Sequence, residues 1–417
     1  MTNEVLQKIA SDEQNISSSN GLEPKLRFKE FDGKWSRNIL GNCCDIIMGQ
    51  SPDSSSYNNN CIGLPLVQGN ADMCERIATP QRYTSQPTKI CEAGSIILSV
   101  RAPVGTVGKT FQKICLGRGV CGITSKNIEF MYQYLLNNEN SWRHIEQGGT
   151  FTAINSDDIK SFPIILPSLP EQKKIADFLS LIDQRIEKQR RLVESLKKYK
   201  RGLLSAIFDH KLRFKDENGN DYPEWDNFVL DNLGSFYNGL SGKNKDDFGT
   251  GNSEYITYMN VFKNTIANET ICERVNILPN EHQNIVNFGD LLFTQSSETM
   301  EEVGFCSVWN SHKKVFLNSF CFGLHFNNSK FAYPQFMAHY MRSYKIRLLI
   351  MRESQGATRI NLSSERLKKI ELSLPPYKEQ KIIAHFIERY DNTIQNEEKK
   401  LEMFNNLKQG LLQQMFI

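Results

Sequence analysis

In two stretches of the chain, apolar residues return in steps of three and four, or at every seventh position. The first stretch reads Ile175, Leu179, Ile182, Ile186, Val193, Leu196, Leu203, Ile207. The second reads Ile383, Ile387, Tyr390, Ile394, Leu401, Phe404, Leu411, Met415. A seven-residue repeat is the pattern of a coiled-coil seam, so it predicts long helices over residues 167–210 and 375–417. About 38 helical residues at 1.5 Å each reach roughly 57 Å. Both seams are interrupted by polar residues at matching places, Gln189 and Glu397, then Lys200 and Lys408. Such interruptions cost stability and fix register. Ser168, three residues before Glu171, has the form of a capping box, and Pro170 suits a first helical turn. The two helices are expected to pair antiparallel.

The rest of the chain is duplicated with them. Lys25-Leu26-Arg27-Phe28-Lys29 followed by Trp35 returns as Lys211-Leu212-Arg213-Phe214-Lys215 followed by Trp225. Leu40-Gly41 is matched by Leu233-Gly234, and Gly149-Thr150-Phe151-Thr152-Ala153-Ile154-Asn155 by Gly356-Ala357-Thr358-Arg359-Ile360-Asn361. From Pro167 to Phe208 the chain aligns without a gap to Pro375–Phe416, with about a third of the positions identical. Glu171-Gln172-Lys173 meets Glu379-Gln380-Lys381, Asp183 meets Asp391, and Gly202-Leu203-Leu204 meets Gly410-Leu411-Leu412. The middles of the two intervening regions barely resemble each other. The fold class expected is α+β, a tandem repeat of two mixed α/β domains, each followed by a long helix. The boundaries are a polar, disordered leader at 1–24, domains at 25–166 and 211–374, and helices at 167–210 and 375–417.

With 417 residues, of which 39% are apolar and 23% charged, each domain can bury a core. Fifty Lys+Arg against 47 Asp+Glu leave a net charge of +3, which excludes a polybasic binder but not one with basic residues on one face. The first helix is rich in cations (Arg185, Lys188, Arg190, Arg191, Lys197, Lys198, Lys200, Arg201), read as a solvated face or, less simply, a phosphate-contacting one. No apolar run is long enough for a bilayer, and the N-terminus lacks secretory-signal character. The ten cysteines show no C-x-x-C pair and no zinc spacing, so reduced, mostly buried thiols in the cytoplasm are expected.

Two stretches imitate catalytic motifs. Gly105-Thr106-Val107-Gly108-Lys109-Thr110 ends like a phosphate-binding loop, but Pro103 stands where the pattern needs its first glycine. A strand over Ser95–Arg101 followed by a turn is the simpler reading. Leu374-Pro375-Pro376-Tyr377 resembles the tetrapeptide of amino-group DNA methyltransferases, but Leu374 cannot accept a hydrogen bond from an exocyclic amine. The seven histidines form no catalytic constellation. The chain is read as making and breaking no bonds.

The duplicated layout resembles the specificity (S) subunit of Type I restriction-modification systems. The resemblance covers residues 25–417, and its most telling pieces are Leu-Pro-x-x-x-Glu-Gln-Lys at each helix head and Gly-Leu-Leu at each tail. It implies two target recognition domains, each reading one half of a split duplex-DNA target, with the helices setting the gap. It further implies two modification subunits that methylate adenine N6, and restriction subunits that cleave. S-adenosylmethionine, ATP and Mg are then expected on those partners, with no cofactor or metal in this chain and no membrane.

Base edges are read by arginine at guanine and by asparagine or glutamine at adenine. The candidates in the first domain are Gln50, Ser51, Gln68, Asn70, Arg101, Arg118, Thr150 and Thr152. In the second they are Asn244, Lys245, Asn260, Ser296, Ser297, Thr358 and Arg359. Asn155 and Asn361 are expected to cap short helices instead. The competing readings are a single-chain methyltransferase, which would need a cofactor site, and a non-catalytic coiled-coil scaffold joining two protein-binding domains.

Overall fold

The computed structural model describes residues 23–146, 153–328 and 330–417. Nearly all of the expected leader, together with Thr150 and Thr152, therefore lies outside the described residues. The chain divides into two compact units, one made of the chain up to Arg191 with Lys399–Ile417, the other of Leu192–Glu398. Each unit holds one globular domain, the head of the helix that follows that domain, and the tail of the other helix.

In the first unit, strands β1 (Ser36–Ile39), β2 (Cys44–Met48), β3 (Ile96–Ser99), β4 (Val107–Lys109) and β5 (Val120–Ser125) lead to helix α1 (Ile128–Asn137), strand β6 (Pro163–Leu166) and the long helix α2 (Leu169–Phe208). The central sheet runs β2-β5-β3-β4, extended at its β4 edge by Ile77–Ala78 and Met73–Cys74. Ile96, Leu98, Cys121 and Ile123 are buried from the middle strands, as period-two strands with a covered face require. Strands β1 and β6 pair antiparallel, Ser36 opposite Leu166, and lead the chain into α2.

The second unit repeats this frame with β7 (Asp226–Val229), β8 (Gly234–Asn238), β9 (Leu291–Thr294), β10 (Cys306–Val308), β11 (Cys321–Phe326), helix α3 (Pro334–Met341), β12 (Glu371–Leu374) and the long helix α4 (Tyr377–Met415). Its sheet order, β8-β11-β9-β10, is that of β2-β5-β3-β4. The domain middles, dissimilar in sequence, thus share one four-stranded core.

The long helices run antiparallel where they meet inside each unit. In the first, Lys408 Nζ reaches Asp183 Oδ1 at 2.6 Å and Arg185 lies over the Phe404 ring at 5.4 Å. In the second, Lys197 pairs with Glu398 at 2.5 Å, Lys200 with Asp391, and the Tyr199 and Tyr390 rings lie 6.0 Å apart. The matched seam lysines are therefore joined to the matched seam aspartates. The tail of each helix plugs a domain core. Phe416 packs against Trp35, Phe130 and Tyr134, and Phe208 against Phe336 and Tyr340. These rings come from a further repeat, Phe130-Met131-x-x-Tyr134 in α1 and Phe336-Met337-x-x-Tyr340 in α3.

The capping box expected at Ser168 is replaced by a different device. Both oxygens of Glu171, 2% exposed, accept from Arg27, Nε and Nη2 each at 2.8 Å. Glu379, 1% exposed, accepts from Arg213 at 3.1 and 2.9 Å. Each arginine also donates to loop carbonyls, Asp32 and Gly33 for Arg27, Tyr222 and Pro223 for Arg213. The repeated Lys-Leu-Arg-Phe-Lys and Glu-Gln-Lys motifs are thus two halves of one clasp that fixes each helix head to its domain.

Among the described residues four of the eight cations of the first helix meet acids, Lys197 and Lys200 in the pairs above. Arg190 pairs with Glu75 and Glu187, and Arg191 with Glu187. All ten cysteines are free and six of them are buried: Cys44, Cys91, Cys115, Cys121, Cys306 and Cys321. Burial raises the Cys44 and Cys121 thiols to about 12. Among the described residues no helix is long and apolar enough to cross a membrane.

Candidate nucleic-acid interface

One corner of the shared sheet is built the same way in both domains. Beyond β3, Val100 N donates to Gly119 O at 2.9 Å and its carbonyl accepts from Ile154 N at 3.0 Å. Beyond β9, Gln295 N donates to Phe320 O and its carbonyl accepts from Leu362 N, both at 2.8 Å. After β2 and β8 the chain presses on the facing loop so closely that a side chain is excluded. A Cβ on Gly49 would stand 1.9 Å from Gly117 O, and one on Gly239 2.1 Å from Asn318 O. A cleft opens at this corner in each domain.

The first cleft has a volume of about 690 Å³ and gathers Ser51, Gln68, Asn70, Arg101 and Arg118, with Gly69, Asp72, Pro103 and Gly119 between them. Ser99 Oγ donates to Arg101 O and lies 2.8 Å from Pro103 O as well, which holds the turn that carries Arg101. Ser51 Oγ accepts from Arg118 N at 3.1 Å. Gln68 Nε2 donates to the Tyr57 hydroxyl at 2.9 Å, and Asp72 Oδ2 accepts from Gln68 N at 2.7 Å. The Asp72 carboxylate is thus tied to the backbone. The Arg101 and Arg118 guanidiniums are exposed and make no hydrogen bond or ion pair among the described residues.

The second cleft, of about 270 Å³, gathers Ser296, Ser297 and Arg359 with Tyr258, Met259, Phe262, Phe320, Glu298 and Glu302. Tyr258 and Phe262 lie stacked at 6.0 Å on the short helix Tyr258–Lys263, and the Tyr258 hydroxyl donates to Ser296 O at 2.6 Å. The Arg359 guanidinium lies 6.0 Å from the Phe320 ring centroid. Two arginines brace the walls from behind. Arg342 Nη2 donates to the carbonyls of Val261, Phe262 and Asn264 at 2.8 to 3.0 Å. Arg347 donates to Gly304 O at 2.9 Å, Glu301 O at 3.0 Å, and Val303 O. Both guanidiniums stack on Phe305, at 4.8 and 4.6 Å. Burial lowers each to about 10, so both stay charged near neutrality.

The placement of the remaining candidates is mixed. Gln50 is exposed beside Ser51, and its carbonyl accepts from Thr88 Oγ1. Asn244 is turned to local structure, capping the turn Lys245–Asp247 with its side chain, and Lys245 is exposed on that turn. Both lie outside the lining of the second cleft, and so does Thr358, exposed next to Arg359. Asn260 requires correction. It is 1% exposed, and its amide is spent on the loop at Asn268, donating to the carbonyl at 2.8 Å and accepting from the backbone N–H at 2.9 Å. A side chain so enclosed holds a loop and cannot reach a base. Ser297 lines the cleft, but its hydroxyl donates to Thr299 O at 2.5 Å.

Asn155 caps the helix Ser156–Lys160 in a full capping box with Asp158, as expected. Asn361 does not cap. The N-cap is Ser363, and Asn361 pairs in a strand opposite Ser296. Ile154 and Leu362 hold the same backbone position, so the true register of the two repeats here is two residues away from the match of Ile154 with Ile360.

The motif-like stretches are structural. Lys109 lies in β4, pairs with Glu129 at 2.5 Å and stands 4.1 Å from the Tyr132 ring centroid. Leu374 is 1% exposed in β12, one turn before α4 begins. Among the described residues no group of His, Cys, Asp and Glu is arranged to hold a metal. Sequence reasoning missed Met259 and Phe320, which no periodicity marks as cleft residues, and the carboxylates Glu298 and Glu302.

The sequence model of the Type I restriction modification DNA specificity domain matches residues 33–197 and again 222–405. Over 197 residues the chain is 38% identical to the MjaX type I restriction enzyme specificity subunit of Methanocaldococcus jannaschii, an alignment covering 46% of each chain. It therefore spans about half the length of that relative. Over 390 residues it is 24% identical to the EcoKI type I restriction enzyme specificity subunit of Escherichia coli K12, covering 85% of this chain and 82% of the other. The crystal structure of a Type-I restriction-modification system S subunit from M. genitalium matches with a TM-score of 0.56 at 16% identity, covering 95% of this chain and 99% of that one. A chain from a structure of complex assembly and conformational transition in the type I R-M system gives 0.58 at 16% identity, covering 92% and 97%. At that identity the two structures bear on the fold alone.

Proposed function

Because the chain belongs to the Type I restriction modification DNA specificity family, we propose that it is a non-catalytic specificity component and that each of its domains reads one half of a split duplex-DNA target through the cleft at its sheet corner. The observation that carries this reading is convergence. Ser51, Gln68, Asn70, Arg101 and Arg118 come from four separate stretches of the chain, carry donors or acceptors that suit base edges, and line one cleft. The second domain repeats that cleft at the same corner with a different lining.

In this reading α2 and α4 set the gap between the two half-sites. The chain docks two modification subunits that methylate adenine N6, and restriction subunits that cleave. S-adenosylmethionine, ATP and Mg act on those partners, and the assembly works in the cytoplasm. A net charge of +3 leaves much of the phosphate neutralisation to the partners. The test is adenine methylome sequencing with and without this chain. The reading expects one split motif to disappear with the chain. An unchanged methylome, in cells where the modification subunit is expressed, contradicts it. Footprinting of two separate patches by the assembled complex distinguishes DNA reading from a protein scaffold.

A further inference from the structure

The two clefts differ in the balance of charge they offer to a base. In the first, the free groups are the cations Arg101 and Arg118. In the second, Glu298 and Glu302 are exposed, with no side-chain hydrogen bond or ion pair among the described residues. One exposed cation accompanies them, Arg359, its guanidinium 6.0 Å from the Phe320 ring centroid. Phe320 is 56% exposed and Met259 47%, so the carboxylates stand beside an open apolar wall.

A carboxylate facing duplex DNA is repelled by every phosphate. Its attractive partner in the major groove is an exocyclic amino group, as glutamate accepts from cytosine N4. Guanine and thymine offer only acceptors, and in thymine a methyl group, at that edge. The wall is also fixed in advance. Arg342 holds the C-terminal carbonyls of the helix carrying Tyr258 and Met259, and Arg347 holds the Glu301–Gly304 loop beside Glu302. Such bracing fixes the backbone from which Glu302 projects, as base discrimination requires of a supporting shell.

From this we infer that the second domain selects its half-site by the amino group of a base, with Glu298 and Glu302 as the acceptors. The first domain, by contrast, selects through its arginines. This rests on the reading of both clefts as DNA-facing. Cytosine N4 and adenine N6 share the chemistry and are separated in the test.

The test uses the full chain assembled with its modification partner. Methylome sequencing is run for wild type, Glu298→Gln, Glu302→Gln and, in parallel, Arg101→Ala. A glutamine keeps the shape and can donate as well as accept, so discrimination at one position of the second half-site should fall roughly ten-fold or more. The first half-site should stay as it was. Oligonucleotides with thymine for cytosine, or purine for adenine, at the relaxed position then identify which base supplies the amine. Wild type should lose methylation on the substituted DNA, and the relaxed variant should not. Thermal unfolding of each variant checks that these exposed substitutions leave the fold intact.

An unchanged second half-site in both glutamate variants, with a changed first half-site in Arg101→Ala, overturns this inference and leaves the cleft reading standing. A uniform gain of affinity on all DNA, with an unchanged motif, shows that the carboxylates only repel phosphate and also overturns it. No change of either half-site in any of the three variants contradicts the cleft reading itself.

Discussion

The two recognition clefts and the two helix clasps are both duplicated, and they have diverged to opposite degrees. At the clasps the chemistry is repeated group for group. Arg27 on Glu171 corresponds to Arg213 on Glu379, Phe28 against Phe178 to Phe214 against Phe386, and Gln172 donating to Pro167 O to Gln380 donating to Pro375 O. At the clefts the backbone frame is kept and the lining is replaced, arginines and amides in one, carboxylates and aromatics in the other. A repeated fold keeps identical whatever meets the same neighbour twice, and changes what meets two different ligands.

The clasp gives the largest effect by which the comparison can be broken. Replacing Arg27 or Arg213 with Met leaves a carboxylate that is 2% or 1% exposed without its partner. The expected cost is about 3 kcal/mol, at the low end for a broken buried pair because each arginine keeps some contact with water. Urea unfolding of the full chain should show similar losses for the two variants, each in its own unit. A loss in only one would mean that the clasps are not equivalent. Pairing Arg27→Met with Glu171→Leu should restore much of the loss.

A smaller effect is expected at the first cleft. Arg101→Ala should weaken binding of the assembled complex to its cognate DNA by about 2 kcal/mol if the guanidinium is bidentate to guanine. Titration against cognate and random duplexes decides, because equal losses on both would mark a phosphate contact.

The cores of the two domains also differ at one matched position, Gln133 in α1 and His339 in α3. Gln133 Nε2 donates to Asp183 at 2.7 Å. Burial, then the charges of Lys200 and Arg342, lower His339 from 6.5 to about 3. The folded value lies below the unfolded one, so the stability from a neutral His339 is full above pH 6.5 and declines as pH falls towards 3. The second unit should lose about 1.4 kcal/mol per pH unit in that window. His339→Gln should flatten the slope measured by unfolding at pH 7, 6 and 5. An unchanged slope would assign it to other groups. Smallest of all, Asn155→Ala should cost about 1 kcal/mol through loss of the cap, read by thermal unfolding.

The long helices were legible because a seam repeats over many turns, and each buried Ile or Leu reinforces the same period. The clasp was half legible. Both motifs were visible as repeats, but nothing in a one-dimensional pattern joins Arg27 to Glu171 across 144 positions, and the local capping rule claimed the glutamate instead. The shared sheet was hidden because a strand covered on both faces asks only for a short continuous apolar run, which Ile96-Ile97-Leu98 and Leu291-Leu292-Phe293 satisfy with different side chains.

At the clefts, residue chemistry singled out arginines and amides. It could not tell an amide that faces a ligand from one that holds a loop, hence Asn260. Carboxylates and exposed rings give no such signal, because a phosphate backbone attracts cations. The two-residue slip at Asn361 has a similar cause. Isoleucine followed by asparagine is a weak landmark, whereas the backbone bonds of Ile154 and Leu362 define the register directly.

The central claim is that each domain reads its own half of one split target. It is tested most directly by exchanging residues 25–166 for the equivalent domain of another specificity chain and sequencing the adenine methylome. The account predicts a motif in which one half is new and the other half and the gap are unchanged. A motif altered in both halves, or in neither, would contradict it.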